Sequence, residues 1–166
     1  MPETATADFL QLINAHAGIL HKITRLYAEN AEDKRDLRQE ILYEAWRAYA
    51  AFRGEAAFST WLYRVALNTA LTFRRKSLRK VVTTEISAAQ HLGEDLTEPL
   101  SAPAELLYQA IRRLPETDRA VITLQLDGYD NEDIADITGM SKNHIAVKLH
   151  RIKIALEKQL TDRNHE

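Results

Sequence analysis

No cysteine occurs among the 166 residues, so neither a disulfide nor a thiolate-held zinc can brace the fold. Glycine and proline number only five and four, and they gather at a few breaks, so no glycine-rich loop is available to cradle a phosphate. No apolar run approaches the roughly 20 residues that span a bilayer. Met1 to Thr6 lacks the basic and apolar regions of a signal peptide, so a cytoplasmic protein without membrane insertion is expected. The six histidines are not set at metal spacing. His16 and His21 are five apart and His144 and His150 six apart, off a common helix face. Neither a metal nor a cofactor is therefore expected. No catalytic constellation stands out, and an enzyme is not expected.

What is present is charge in blocks. The net charge of −2 conceals them. Ala56 to Thr84 carries six basic residues (Arg64, Arg74, Arg75, Lys76, Arg79, Lys80) and no acid. Val81 to Ile111 carries five acids and no Lys or Arg, and Ser141 to Leu156 four basic residues and no acid. Two cationic surfaces around an acidic connector point to nucleic acid, with three solvated faces as the alternative.

Apolar spacing at three and four residues predicts an all-α chain. A first helix is expected over Ala7–Ala28 with Phe9, Ile13, Ile19, Ile23 and Leu26 inward. A second is expected over Asp33–Phe52 on Leu37, Ile41, Ala45, Ala48 and Phe52, and a third over Ala57–Lys80. Residues 81 to 103 hold Gly93, Pro99, Ser101 and Pro103 and no sustained period, which reads as a flexible linker. Fully extended at about 3.3 Å per residue, it would reach roughly 75 Å. The expected organisation is residues 1–80 as one small helical domain, 81–103 as linker and 104–166 as a second. Shorter helices follow: Ala104–Arg113, one opened by Pro115 and closed near Asp127-Gly128, and two more around Thr138-Gly139-Met140-Ser141.

That last pair has the layout of a DNA-binding helix-turn-helix. Ile134 and Ile137 face inward from the first helix, Ala135 permits a close crossing, and Gly139 suits a positive-φ turn. Ser141 is a good N-cap, and Ile145 and Leu149 pack the second helix back. Lys142, Asn143, His144, Lys148 and Arg151 then lie outward. The first helix is acidic and the second basic, so the second is expected to approach DNA.

Two stripes mark the N-terminal half. Asp36, Glu40, Tyr43 and Arg47, with Gln39 beside them, lie opposite the apolar line of the second helix. This is a solvated face or a docking face for a basic helical partner. On the third helix Trp61, Arg64, Asn68, Thr72 and Arg75 line up, away from the packed face of Phe58, Leu62, Val65, Ala66 and Phe73. Trp61 suits the edge of a core and, equally, a platform on which bases stack.

Together these residues resemble the extracytoplasmic-function group of the sigma-70 family, over about residues 8 to 160. "DLRQEILYEAWRAYAAFRGEAAFSTWLYRVALNTA", Asp36 to Ala70, is similar to that family's region two. "LPETDRAVITLQLDGYDNEDIADITGMSKNHIAVKLHRIKIAL", Leu114 to Leu156, is similar to region four. The resemblance implies a transcription-initiation factor that joins core RNA polymerase and opens promoters. It implies that Asp36, Gln39, Glu40, Tyr43 and Arg47 meet the clamp helices of the largest polymerase subunit. It implies that Phe52, Arg53, Phe58, Trp61, Arg64, Asn68 and Arg75 engage the −10 element, and that Lys142, Asn143, His144, Lys148 and Arg151 engage the −35 element. Contact of the second domain with the flap of the second-largest subunit, and an anti-sigma partner, are implied as well. Asn143-His144 stands where many members carry Gly-Thr, so the −35 preference is left open.

Two other readings fit parts of the chain. A helix-turn-helix repressor or activator would have no reason to carry Phe52 to Arg75. A sigma-shaped protein that sequesters an anti-sigma factor is supported only by Asp33-Lys34-Arg35-Asp36, where the family often has an acidic run.

Overall fold

The computed structural model describes residues 3–79 and 99–165, with side chains on the third long helix up to Arg74. Eight helices and no strands make up the described residues. The expected linker lies mostly outside them. Its last residues lead into a helix that begins at Ala102, two residues earlier than expected.

The predicted first helix is two: α1 (Glu3–Ala15) and α2 (Ala17–Tyr27). The break falls at His16, whose ring Nδ1 lies 2.8 Å from the Leu12 carbonyl. The apolar spacing hides this break, because Phe9 and Ile13 before it and Leu20 and Ile23 after it are all buried. Helix α3 (Ala31–Tyr49) starts two residues earlier than expected. Asn30 caps it, its side-chain oxygen accepting from Asp33 N at 2.8 Å. Helix α4 (Phe58–Arg79) follows a loop in which Gly54 takes φ 74°. Helices α2, α3 and α4 pack around Leu20, Ile23, Leu37, Ile41 and Leu62, which no solvent reaches. Helix α1 closes one side through Phe9, whose ring lies 5.0 Å from Trp46 and 5.1 Å from Tyr49.

The second body comprises α5 (Ala102–Arg112), α6 (Glu116–Leu126), α7 (Asn131–Thr138) and α8 (Lys142–Arg163). Pro115 stands at the N-cap of α6, one position before the expected one. Val121, Leu124, Ile134, Ile145 and Ile152 form the centre of this body.

The two bodies do not stand apart. Helix α2 meets α5, α4 meets α7, and the buried residues form one continuous cluster. The seam has a clear physical basis. The last carbonyls of a helix lack intrahelical donors and carry partial negative charge. Those at the C-terminal end of α2 are met by arginines from the second body. Arg112 Nε donates to Arg25 O at 2.9 Å, and Arg119 Nη1 donates to Leu26 O at 2.7 Å. Arg119 also donates to Arg112 O at 2.8 Å and Leu114 O at 3.2 Å, at the end of α5. One buried guanidinium thus caps two helix ends, with the Tyr27 ring 5.0 Å beneath it. Burial lowers the pKa of Arg119, and the neighbouring Arg74 adds to that.

Candidate nucleic-acid interface

The helix-turn-helix forms as its sequence predicts. Asp130 caps α7, accepting from Asp133 N at 2.8 Å. Gly139 ends it at φ 77°, a left-handed conformation that costs other residues about 1–2 kcal/mol. Ser141 caps α8, accepting from His144 N at 3.2 Å. Ile134, Ile137, Ile145 and Leu149 are buried between the two helices.

On the outer surface of α8, Lys142, Asn143, His144 and Arg151 are exposed. Lys148 differs from expectation. It turns toward α6, where its ammonium lies 2.6 Å from Asp118, and it is only partly exposed. The outward side also carries Ala146 and Val147, which sequence reasoning passed over because neither is polar.

The third helix departs more from the expected stripe. Arg64 and Asn68 are exposed, but Trp61 is half-buried. Its ring lies 5.2 Å from both Phe52 and Phe58 and 6.2 Å from Tyr49. Trp61 is thus the rim of an aromatic cluster that closes the α3–α4 end of the first body. Phe58 is buried in that cluster, Phe52 is half-buried, and Arg53 stands exposed in the loop between. Arg64 Nη2 donates to Asp136 O at 2.9 Å, so α4 and the acidic helix of the helix-turn-helix are in contact at this point. Arg74 pairs with Glu116 at 2.9 Å. The side chain of Arg75 lies outside the described residues, as do those of Lys76, Arg79 and Lys80.

On α3, Asp36, Gln39, Glu40 and Arg47 are exposed, and Tyr43 is 61% exposed. Asp36, Gln39, Glu40 and Tyr43 edge a shallow depression with Phe73 of α4. Glu40 and Phe73 also line the adjoining groove with Asn68, Thr69 and Thr72. Residues of both predicted stripes, Glu40 from one and Asn68 and Thr72 from the other, thus line the groove between α3 and α4. Glu44, also on that groove, lies 3.9 Å from Arg47.

Three groups at the seam carry polar contacts that the sequence did not reveal. Asp127 accepts from both Lys22 Nζ and the Tyr63 hydroxyl. The Tyr63 ring stands edge-on to Tyr129 at 5.6 Å. The Tyr27 hydroxyl donates to Glu116 O at 3.0 Å. Burial raises the pKa of both tyrosines above the ordinary phenol range, and the hydrogen bond to Asp127 raises that of Tyr63 further. The only advance signal was Asp127-Gly128, which reads as a helix end and nothing more.

Among the described residues no group of three or more His, Asp or Glu side chains could hold a metal ion. No helix among them is long and apolar enough to cross a membrane.

Comparison with known proteins places these features in a family. Residues 12–80 match Sigma-70 region 2, and residues 104–156 match Sigma-70, region 4. The RNA polymerase sigma-H factor of Pseudomonas aeruginosa is 31% identical over 156 residues, covering 84% of this chain and 81% of that protein. The ECF RNA polymerase sigma-E factor of Haemophilus influenzae is 32% identical over 160 residues, covering 89% and 82%. Among solved structures, the sigma factor RpoE from Bartonella quintana, in complex with the anti-sigma factor NepR, superimposes with a TM-score of 0.70 at 22% identity. It covers 93% of this chain and 97% of that one. CnrH, in complex with the cytosolic domain of CnrY, gives 0.67 at 20% identity, covering 95% and 90%.

Proposed function

The chain belongs to the extracytoplasmic-function sigma factors of the sigma-70 family, and from that membership we propose how its surfaces divide the work of transcription initiation. It is an RNA polymerase sigma factor: it joins core polymerase and directs it to promoters. Residues 1–80 act as the polymerase-docking and −10 module, 81–103 as the connector, and 104–166 as the −35 module. The protein performs no covalent chemistry itself and works in the cytoplasm, where polymerase and promoter are.

The observation that carries this reading is the solvent face of α8. An exposed amide, Asn143, stands on it with His144 and Arg151, and no acid occurs from Ser141 to Leu156. That is the composition a helix needs to enter a major groove, with cations on phosphates and an amide for base edges. Lys148, tied to Asp118, contributes to DNA only by exchanging that partner for a phosphate.

Core docking falls to the exposed Asp36, Gln39, Glu40, Tyr43 and Arg47 face. Coulombic attraction brings a basic helical surface to its acids, and the exposed Tyr43 ring supplies apolar area once water is excluded. The −10 element falls to the Phe52–Phe58 loop and to Trp61, Arg64, Asn68 and Arg75. The Trp61 ring edge, already backed by three aromatics, is rigid enough to hold an unstacked base. Arg64 reaches a phosphate with the guanidinium donors that its bond to Asp136 O leaves over, or by giving up that bond. An anti-sigma partner of the kind bound by the solved relatives suits a chain whose two modules already meet along one seam.

The deciding experiment is reconstituted transcription. Core polymerase with this chain is expected to give specific run-off products from genomic promoter fragments that core alone does not transcribe. Core binding without promoter-specific products would leave only the role of a decoy for an anti-sigma factor. Absence of core binding would leave a free-standing DNA-binding regulator.

A further inference from the structure

An exposed apolar side chain, Val147, stands in the first two turns of α8. Residues of an α-helix advance by about 100° each. Ile145, Leu149, Ile152 and Leu156 are buried and fix the inward direction of α8. Asn143, Val147 and Ile154 point the opposite way, and Val147 is 49% exposed. A lone exposed valine is ordinary on a protein surface. Here the position carries the argument.

Val147 lies one turn after Asn143 and one turn before Arg151, within the first two turns of α8. That is the part of a helix-turn-helix that contacts base edges. Ile154, two turns further on, lies past it. Ala146, also exposed, adds only a methyl group beside Val147, so the helix backbone can approach the groove floor closely. A β-branched residue at an exposed helix position is also slightly worse for the helix than alanine, lysine or glutamate. Local helix stability therefore does not account for the valine. In the major groove only one base presents an apolar group, the C5-methyl of thymine.

We propose that Val147, with Ala146 beside it, packs against a thymine C5-methyl in the −35 element, next to the base pair met by Asn143. This rests on the reading of α8 as the −35 helix, and its test separates the two claims.

The holoenzyme reconstituted from core polymerase and the full chain is used to select duplexes from a library randomised over the promoter region. Each thymine of the selected upstream element is then replaced singly by deoxyuridine, which lacks only the methyl group. Wild-type holoenzyme is expected to lose about fourfold in affinity at one such position, the worth of burying one methyl. Val147→Ala holoenzyme is expected to bind the thymine and deoxyuridine duplexes equally. The variant should melt as wild type does, because the side chain is exposed. Uniform wild-type affinity for all deoxyuridine duplexes, or an undiminished loss in Val147→Ala, overturns the proposal. Selection with no upstream consensus, together with unchanged affinity in Arg151→Ala, overturns the −35 reading itself and the valine assignment with it.

Discussion

Alkali should destabilise this protein through Tyr27 and Tyr63. An unfolded phenol titrates at about pH 10. Both of these phenols are held above that value, chiefly by burial, and each donates a hydrogen bond, to Glu116 O and to Asp127. The sign follows from linkage. A pKa raised in the folded state favours the protonated form, so the stabilisation is complete below about pH 10 and is lost as the pH climbs past it. Each such group removes about 1.4 kcal/mol per pH unit above the unfolded pKa, which gives just under 3 kcal/mol for the pair at about pH 11. Lysines lose charge over the same range, so wild type alone is not diagnostic. The Tyr27→Phe/Tyr63→Phe variant isolates the effect. At about pH 8 it should be less stable by about 2 kcal/mol, for two lost hydrogen bonds. That deficit should vanish or reverse by about pH 11. Urea unfolding followed by circular dichroism across this range measures the gap. A gap that stays constant with pH would show that the two phenols titrate as unfolded ones do, and would refute the buried, neutral seam.

Trp61→Ala should cost about 2–3 kcal/mol by thermal melting, somewhat below the 3–5 typical of a fully buried aromatic, because the ring is only half covered by Tyr49, Phe52 and Phe58. The same variant should lose promoter opening by permanganate footprinting while holoenzyme assembly persists at temperatures where it is folded. Charge reversal at Asp36 and Glu40 should weaken core polymerase binding and lower the melting temperature by no more than about 4 °C, since an exposed charge contributes about 1 kcal/mol at most; unaltered core affinity would make this face ordinary surface. Arg151→Ala should reduce the salt slope of −35 binding by about one unit. Lys148→Ala should reduce it by less, because Asp118 already holds that ammonium; equal slopes would show that the pair breaks freely on DNA.

The helix-turn-helix was legible residue by residue. Its core positions, its glycine turn and its serine cap are local requirements, and the structure places each where the spacing put it. The division of the first predicted helix at His16 was not legible, because the buried face continues across the break without a change of period. Spacing alone leaves Trp61 between core edge and stacking platform. Its position on the helix wheel is polar, but Phe52 from the preceding loop joins Phe58, one turn earlier on α4, in covering it, and loop direction is not encoded in helical spacing.

The sequence by itself determined the all-helical class, the turn geometry at Gly139, the inward face of α8, and the family, because each rests on contacts within a few residues or on a contiguous motif; on α4 the buried face also runs through Tyr63, Leu67 and Ala70, which spacing did not single out. Only the tertiary structure decided what the charged residues do. Arg119 reads as one more surface cation, yet its hydrogen bonds go to the carbonyl ends of two helices, one of them 93 residues distant. Asp127, at the C-cap of α6, meets Lys22 of α2 and Tyr63 of α4, and Arg64 reaches a backbone carbonyl of α7. A charge pattern fixes how many cations a face carries. The partner of each one depends on which helix ends and carboxylates the packed chain brings within about 3 Å, and that separation is set by packing across the whole molecule.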